Sequence, residues 1–377
     1  MRIVFWQNCL SPHQLPYIVR LMDDERVDEV VVVAGESVSD ERKKMGWSVA
    51  QYEGVELCKI YVDPSDDVIR QLLENRQKDS WHLFSGIRAD AFVFKCLQIS
   101  LSYHLRRGIV TERPNTYDFK HNIPNAKPYW LHKLRFMLQD KKYAKYIGVV
   151  FAMGQEAVTY FQSLHMGWKV FPFCYCTQSA KVGAKPLLAD RLPQYLYCGS
   201  LSARKDPLAI ARGLSWLNKE IIHGEFKMIG DGPMRSKIEK YVAEHNIEGK
   251  IHLLGTKRQS EVPTYMQQAD IFILPSLYDG WGAVINEALQ AGCYVICSDA
   301  CGASDLISED TRLGVVFAHG EYKQLANAIA WCEKNIEEIR KNRMYRQEWA
   351  EKHISGKAVA KYLVDCLQGE YVAPIWR

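Results

Sequence analysis

The stretch from Leu274 to Ser298, LPSLYDGWGAVINEALQAGCYVICS, constrains the fold more than any other part of the chain. Ile271 to Pro275 reads as a short apolar strand, Ser276 to Gly282 as a turn with two glycines, and Ala283 to Ala291 has the spacing of a helix. Gly292 stops that helix, and Tyr294 to Ser298 follows as a second buried strand. Strand, helix and strand in this order make a βαβ unit, with its loop at the C-terminal end of the first strand, where open parallel sheets keep their ligand crevice. Free amides at a helix start attract an anion. Gly280 and Gly282 would let backbone come close to a phosphate. Asp279 and Glu287 bracket that helix start, one carboxylate before it and one about a turn inside. A carboxylate is repelled by an anion, so sugar hydroxyls are its better partners, and the pattern points to a nucleotide-sugar site. The plainer alternative is a βαβ unit whose acids cap a helix and face solvent.

The order of these residues carries a resemblance. An apolar strand, Pro-Ser, acidic-Gly-aromatic-Gly at Asp279 to Gly282, seven residues between two acids, then Ala-x-x-Ala-Gly and a second strand resembles the donor-site signature of the family 4 retaining glycosyltransferases with the GT-B fold. That family usually has Glu as the first acid, where this chain has Asp279. The resemblance covers the C-terminal half closely and the N-terminal half in its order of elements. It implies an α/β chain of GT-B type, with two Rossmann-like parallel-sheet domains facing across a cleft.

A length of 377 residues suits two such domains. A net charge of +4 argues against a dedicated nucleic-acid binder, and no run of apolar residues is long enough to span a bilayer. The start, MRIVFWQNCL, is too short and polar for a signal peptide, so a cytoplasmic protein is expected. Eleven cysteines without a repeated framework fit buried, reduced thiols better than disulfides or a zinc site.

In the first half, Arg2 to Trp6, Val30 to Ala34, Glu56 to Tyr61, Trp81 to Phe84, Gly108 to Thr111, Gly148 to Ala152 and Lys169 to Phe173 read as buried strands separated by helices. Ser11, Pro12 and Gln14 form a Ser-x-x-Gln capping box that predicts a helix running to about Met22. Similar proteins carry a Gly-rich loop at this first turn; here His13 is the reactive side chain instead. Two readings of His13 stay open, a contact to acceptor or donor and a purely structural one. Glu112, at a strand end, and His121, in the aperiodic loop 113–128, are the acceptor-side candidates. Residues 129–147 predict a basic amphipathic helix. A buried apolar face with solvated lysines is its preferred reading, and peripheral contact with the inner face of an anionic membrane is the alternative.

Loss of apolar period at 177–193 predicts a linker between a first domain, 1–176, and a second, 194–355. Residues 356–377 predict a terminal helix that crosses back to the first domain, as in GT-B enzymes. In the second domain the strand Tyr195 to Cys198 leads into Gly199-Ser200-Leu201-Ser202-Ala203-Arg204-Lys205, which resembles the family's Gly-x-Leu-x-x-x-Lys loop. Ser200 stands where some members have Arg, and Arg204 and Lys205 are expected on a diphosphate. The resemblance places Gly230 and Gly232 near the nucleotide, Lys257 and Arg258 beside its base, and backbone amides of Gly302 and Ala303 near the sugar.

The implied reaction moves a sugar from a nucleoside-diphosphate sugar to a hydroxyl of a carbohydrate or lipid-linked saccharide, with the anomeric configuration retained. Arg204, Lys205 and the amides of Gly280, Trp281 and Gly282 would stabilise the leaving diphosphate, Asp279 would hold sugar hydroxyls and Glu287 the ribose hydroxyls. No Asp-x-Asp occurs, and with two cations already present neither a metal nor another cofactor is expected. Bacterial surface-polysaccharide or glycolipid synthesis is the natural setting. A nucleotide-sugar epimerase and a non-catalytic nucleotide-sugar-binding subunit are the rival readings.

Overall fold

The computed structural model describes residues 1–38, 54–118, 121, 127–177, 191–217, 222–370, 373–374 and 376. The chain gathers into two compact units. One comprises Met1–Thr116, Asn125–Gln178 and His353–Arg377, the other Tyr117–Pro124 and Ser179–Lys352. Most of the linker expected at 177–193 and part of the loop 113–128 lie outside the described residues.

The described strands of the first unit are β1 (Arg2–Cys9), β2 (Glu29–Glu36), β3 (Lys59–Val62), β4 (Ser80–Phe84), β5 (Arg106–Glu112), β6 (Val149–Met153) and β7 (Lys169–Phe173). They form one parallel sheet in the order β3-β2-β1-β4-β5-β6-β7. Central strands of a parallel sheet are covered on both faces. Accordingly Val4, Trp6, Val31, Val33, Phe84, Ile109, Val150 and Ala152 are all buried in one core with the flanking helices. Ser65 caps the helix Asp66–Glu74 by accepting from Val68 N, and Asp90 caps Ala91–Ser100 by accepting from Phe92 N and Val93 N.

Three local expectations are corrected. The Ser11–Gln14 capping box does not form: Gln14 turns inward, where its Oε1 accepts from Gln7 Nε2 at 2.6 Å, and the first helix shrinks to Leu15–Ile18 followed by a 3-10 segment, Val19–Asp23. The strand read at Glu56 to Tyr61 begins instead with a 3-10 turn, Val55–Leu57. The helix read at 129–147 is interrupted: Tyr129–Arg135 is α, Phe136–Asp140 is π, and Lys141–Ala144 is α again. Within Tyr129–Ala144 only Phe136 and Ala144 are buried, so this stretch does not bury the apolar face that its pattern suggests. The helix Gly356–Gln368, with Val359, Leu363, Val364 and Leu367 buried, packs within the first unit against Leu15–Asp23.

The second unit holds β8 (Gln194–Cys198), β9 (Glu225–Ile229), β10 (Ile251–Gly255), β11 (Ile271–Leu274), β12 (Tyr294–Ser298) and β13 (Gly314–Phe317), a parallel sheet in the order β10-β9-β8-β11-β12-β13. The helix between β11 and β12 is Val284–Gln290, shorter than its pattern, with Gly292 at φ 82° turning the chain into β12. No helix among the described residues is long and apolar enough to cross a membrane.

Candidate functional site

In the second sheet the strand order reverses between β8 and β11, which are paired although β9 and β10 separate them in sequence. Connections leaving such a pair diverge to opposite faces and open a crevice at the C-terminal strand ends. The loop after β8 is shaped by Tyr197, whose hydroxyl donates to Ser200 O at 2.7 Å, while Ser200 Oγ lies 3.1 Å from Ser202 Oγ. Ala203–Lys205 then forms a 3-10 turn closed by Asp206 at φ 44°. That turn carries two cations to the loop after β11. Arg204 Nη1 donates to Tyr278 O at 2.8 Å and lies 3.8 Å from Asp279 Oδ1, and Lys205 Nζ donates to Asp279 Oδ2. The side chains of Lys205 and Asp279 are 13% and 14% exposed, so the pair is largely shielded from water yet still reachable.

Glu287 sits in the first turn of Val284–Gln290. Burial alone pushes its carboxyl up to about 7. Its charge raises the Cys198 thiol at the end of β8, after the larger effect of burial, and Lys205 opposes it. Glu287, Cys198 and Lys205 therefore gather at one sheet edge. The two acids differ in kind: Asp279 is neutralised by cations, whereas Glu287 is suited to accept from neutral donors such as hydroxyls.

The Trp281 indole is 2% exposed and donates from Nε1 to Asn286 Oδ1 at 2.8 Å, so it faces the interior and position 281 presents backbone. Gly282 adopts φ 90° at the helix entry, and Gly280 O would lie 2.4 Å from a Cβ at Gly302. Gly302 and Ala303, expected to offer amides to a sugar, donate them to Asp279 O at 3.3 Å and Trp281 O at 2.8 Å. Gly230 and Gly232 let the turn after β9 run against the loop after β8. A Cβ at Gly230 would stand 1.9 Å from Gly199 O, and one at Gly232 2.7 Å from Leu201 O. Lys257 and Arg258 follow the edge strand β10, with Lys257 Nζ 5.9 Å from the Tyr265 ring and Arg258 N donating to Glu261 Oε2 at 2.9 Å.

In the first sheet the order reverses between β1 and β4. The strand ends there surround a cavity of about 530 Å³ within the first unit. His13 and Glu112 both line it; His121 does not, and its Nδ1 pairs with Asp118 Oδ2 at 2.8 Å. Pattern reading missed Arg88, Arg113, His132, Arg135, Asp140 and Tyr175, which also line the cavity. Arg88, Arg113 and Tyr175 follow β4, β5 and β7, where the strand-end rule could have found them; His132, Arg135 and Asp140 come from the one helical segment Tyr129–Asp140. Arg88 Nε lies 3.5 Å from Asp140 Oδ1, and Arg113 Nη1 pairs with Glu156 Oε2. Burial raises the Asp140 carboxyl, with Arg88 and Arg135 opposing. Burial also lowers the His132 imidazole, whose Nε2 lies 3.0 Å from Asn115 O. The Tyr175 phenol is raised, first by burial and then by Glu112. The cavity combines cations, a half-buried acid and hydroxyl partners, a lining suited to a polar, hydroxyl-rich ligand.

In sequence and in fold the chain is similar to known glycosyltransferases. Residues 181–350 match the model of the family described as glycosyl transferases group 1. The 2-deoxystreptamine N-acetyl-D-glucosaminyltransferase of Niallia circulans is 23% identical over 248 residues, 64% of this chain and 59% of that protein. The UDP-Gal:alpha-D-GlcNAc-diphosphoundecaprenol alpha-1,3-galactosyltransferase of Escherichia coli is 29% identical over 115 residues, 30% of this chain and 29% of that protein. The matches thus span less than two thirds of these relatives' lengths. In overall fold the chain is similar to HepE of Anabaena, solved in complex with UDP, with a TM-score of 0.68 at 14% identity, covering 98% of this chain and 100% of that one. Residues 181–350 are thus similar to the group 1 glycosyl transferases, and the two parallel-sheet units give the chain the GT-B fold.

Proposed function

We propose that the protein is a retaining, metal-independent glycosyltransferase that moves a sugar from a nucleoside-diphosphate sugar to a hydroxyl of a saccharide acceptor. One observation carries this reading: Lys205 and Arg204 meet Asp279 at the β8/β11 reversal, with Glu287 a turn into the following helix. Breaking the anomeric bond builds negative charge on the departing diphosphate, and preorganised cations answer that charge without a metal ion. In this reading Arg204 and Lys205 hold the diphosphate, Asp279 orients sugar hydroxyls once the diphosphate engages Lys205, and Glu287 accepts from the ribose hydroxyls. No second carboxylate has been assigned to the opposite face of the sugar. We therefore infer front-face attack, in which the leaving phosphate takes the acceptor's proton and no covalent glycosyl-enzyme forms.

The first unit's cavity would take the acceptor, with His13 and Glu112 at hydrogen-bond positions. The similar proteins include transferases named for a small aminocyclitol acceptor and for a lipid-diphosphate acceptor. Bacterial polysaccharide or glycolipid synthesis is the setting we infer, on the cytoplasmic side.

The first test is a calorimetric screen of UDP, GDP, ADP and their sugar forms, with and without EDTA, on wild type and Lys205→Ala. Binding of one nucleotide, insensitive to EDTA and lost in the variant, is expected. Binding only with a divalent cation would overturn metal independence, and the absence of binding would bring forward the reading of a non-catalytic subunit. Anomeric coupling in the product, read by NMR, decides stereochemistry: an inverted linkage would refute front-face retention.

A further inference from the structure

The segment Tyr129–Ala144 carries an apolar stripe that the fold leaves uncovered. Trp130, Leu131, Leu134, Met137 and Leu138 recur at helical spacing, a pattern that in a folded protein ordinarily faces a core. Here these residues are 66%, 43%, 49%, 47% and 75% exposed. The helix is not loosely placed. Phe136 packs edge-on against Trp168 at 5.8 Å, Trp168 Nε1 donates to Ala144 O at 3.0 Å, and Tyr143 packs edge-on against Phe94 at 5.0 Å. These inward contacts fix the orientation, and the π turn Phe136–Asp140 brings Phe136 and Ala144 to the same inner side.

Charge accompanies the stripe. Lys133 falls three residues after Trp130 and four before Met137, and Arg135 four after Leu131 and three before Leu138, so the two flank the stripe on opposite sides. Lys141, Lys142 and Lys145 follow, the last two resting their ammonium groups over Tyr143 and Tyr146. The one acid of the segment, Asp140, is already turned to Arg88. An apolar band with Trp and Leu, bordered along its length by cations on long stems, matches a plane whose interior is apolar and whose surface is anionic. A protein groove would need acids on both of its walls to match the same arrangement.

We propose that Tyr129–Ala144 docks the protein on an anionic lipid bilayer, lying in the plane of the interface with Trp130, Leu131, Leu134 and Leu138 in the acyl boundary. Arg135 and His132, on the same segment, line the first unit's cavity. The bilayer then runs beside that cavity, which suits a saccharide acceptor carried on a lipid; this clause alone rests on the function proposed above.

The test is co-sedimentation of the full chain with saccharide-free vesicles of phosphatidylcholine, alone or mixed with phosphatidylglycerol. Wild type should bind the anionic vesicles about tenfold or more tightly than the neutral ones. Leu134→Ser/Leu138→Ser and Lys133→Glu/Lys141→Glu should each lose that binding about tenfold while keeping the wild-type unfolding midpoint and nucleotide-induced thermal shift. Because no nucleotide or acceptor is present in the vesicle assay, its outcome is separate from that of the donor-site test. Vesicle binding unchanged in both variants, or absent in wild type, overturns the proposal. A concentration-dependent dimer dispersed by Leu134→Ser/Leu138→Ser, without vesicle binding, would assign the stripe to a second copy and overturn it as well.

Discussion

Lys205 and Asp279 satisfy each other's charge, and under the proposed function a diphosphate would compete with that pair. Removing the carboxylate charge therefore separates binding from turnover. Asp279→Asn should bind the nucleoside diphosphate as tightly as wild type or a few-fold more tightly, while transfer falls. Lys205→Ala should weaken nucleotide binding by about ten- to a hundredfold, the range of a lost charged hydrogen bond. Calorimetry and initial rates on the two variants check both outcomes. Glu287 gives a pH signature. Its folded carboxyl titrates near 7, above the ordinary 4.5, so the folded state holds a proton that the unfolded chain has released between those values. Stability contributed by the protonated form is present below about 4.5 and is lost as pH rises to about 7. Glu287→Gln should match wild type in unfolding midpoint at low pH and exceed it above pH 7. Wild-type nucleotide affinity should rise through the same region as the carboxylate forms to accept the ribose, and the Gln variant should lose that rise. Asp279 and Glu287 were legible because their signature is one uninterrupted stretch of sequence. Asp140 and His132 were not, because their shared segment is brought to the strand ends by packing that no spacing in the chain records.

At the scale of the element, the Gly-Asp-Gly turn after β9 is a packing device before it is anything else. The loop after β8, which carries Arg204 and Lys205, rests on it backbone to backbone: Gly199 N donates to Ile229 O at 3.0 Å and Leu201 N to Asp231 O at 2.9 Å. Gly230→Ala would force a Cβ against Gly199 O. It should destabilise the second unit by about 3 kcal/mol, lowering its unfolding midpoint by roughly 6–12 °C, and weaken nucleotide binding without touching a charged side chain. Differential scanning calorimetry with and without UDP reads both effects. Strands were the legible elements, since apolar runs of the first sheet such as Val30 to Ala34 have no other stable place than a doubly covered parallel sheet. Helix ends were less legible. Ser11 and Gln14 had the spacing of a capping box, but Gln14 gains a buried partner in Gln7, and that tertiary contact outweighs the local cap. Likewise nothing in the period of 129–147 marks the π turn, at whose start Phe136 meets Trp168 edge-on.

In the whole molecule the order of the chain and the order of packing differ. The first unit takes its residues from both sides of the second, and its closing piece is Gly356–Gln368. That helix is seated tightly: a Cβ at Gly356 would lie 2.1 Å from Pro16 O, and Arg26 reaches across to Asp365 at 2.6 Å. The helix buries Val359, Tyr362, Leu363, Val364 and Leu367, each contributing on the order of 1.5–3 kcal/mol of transfer free energy, which together approach the roughly 5–15 kcal/mol that holds a typical domain folded. A chain ending at Lys352 should therefore leave the first unit open to limited proteolysis while residues 191–352 stay protected, as peptide mapping would show. The same arrangement has a consequence during synthesis. A ribosome delivers residues in order, and domains commonly fold as they emerge. The second unit can finish as soon as Lys352 is out, but the first, although it begins to appear before it, waits with the seat around Pro16 uncovered until the final helix is released. The half of the protein made first is thus the half completed last, and its exposed apolar seat is the natural place for a chaperone to act on the nascent chain.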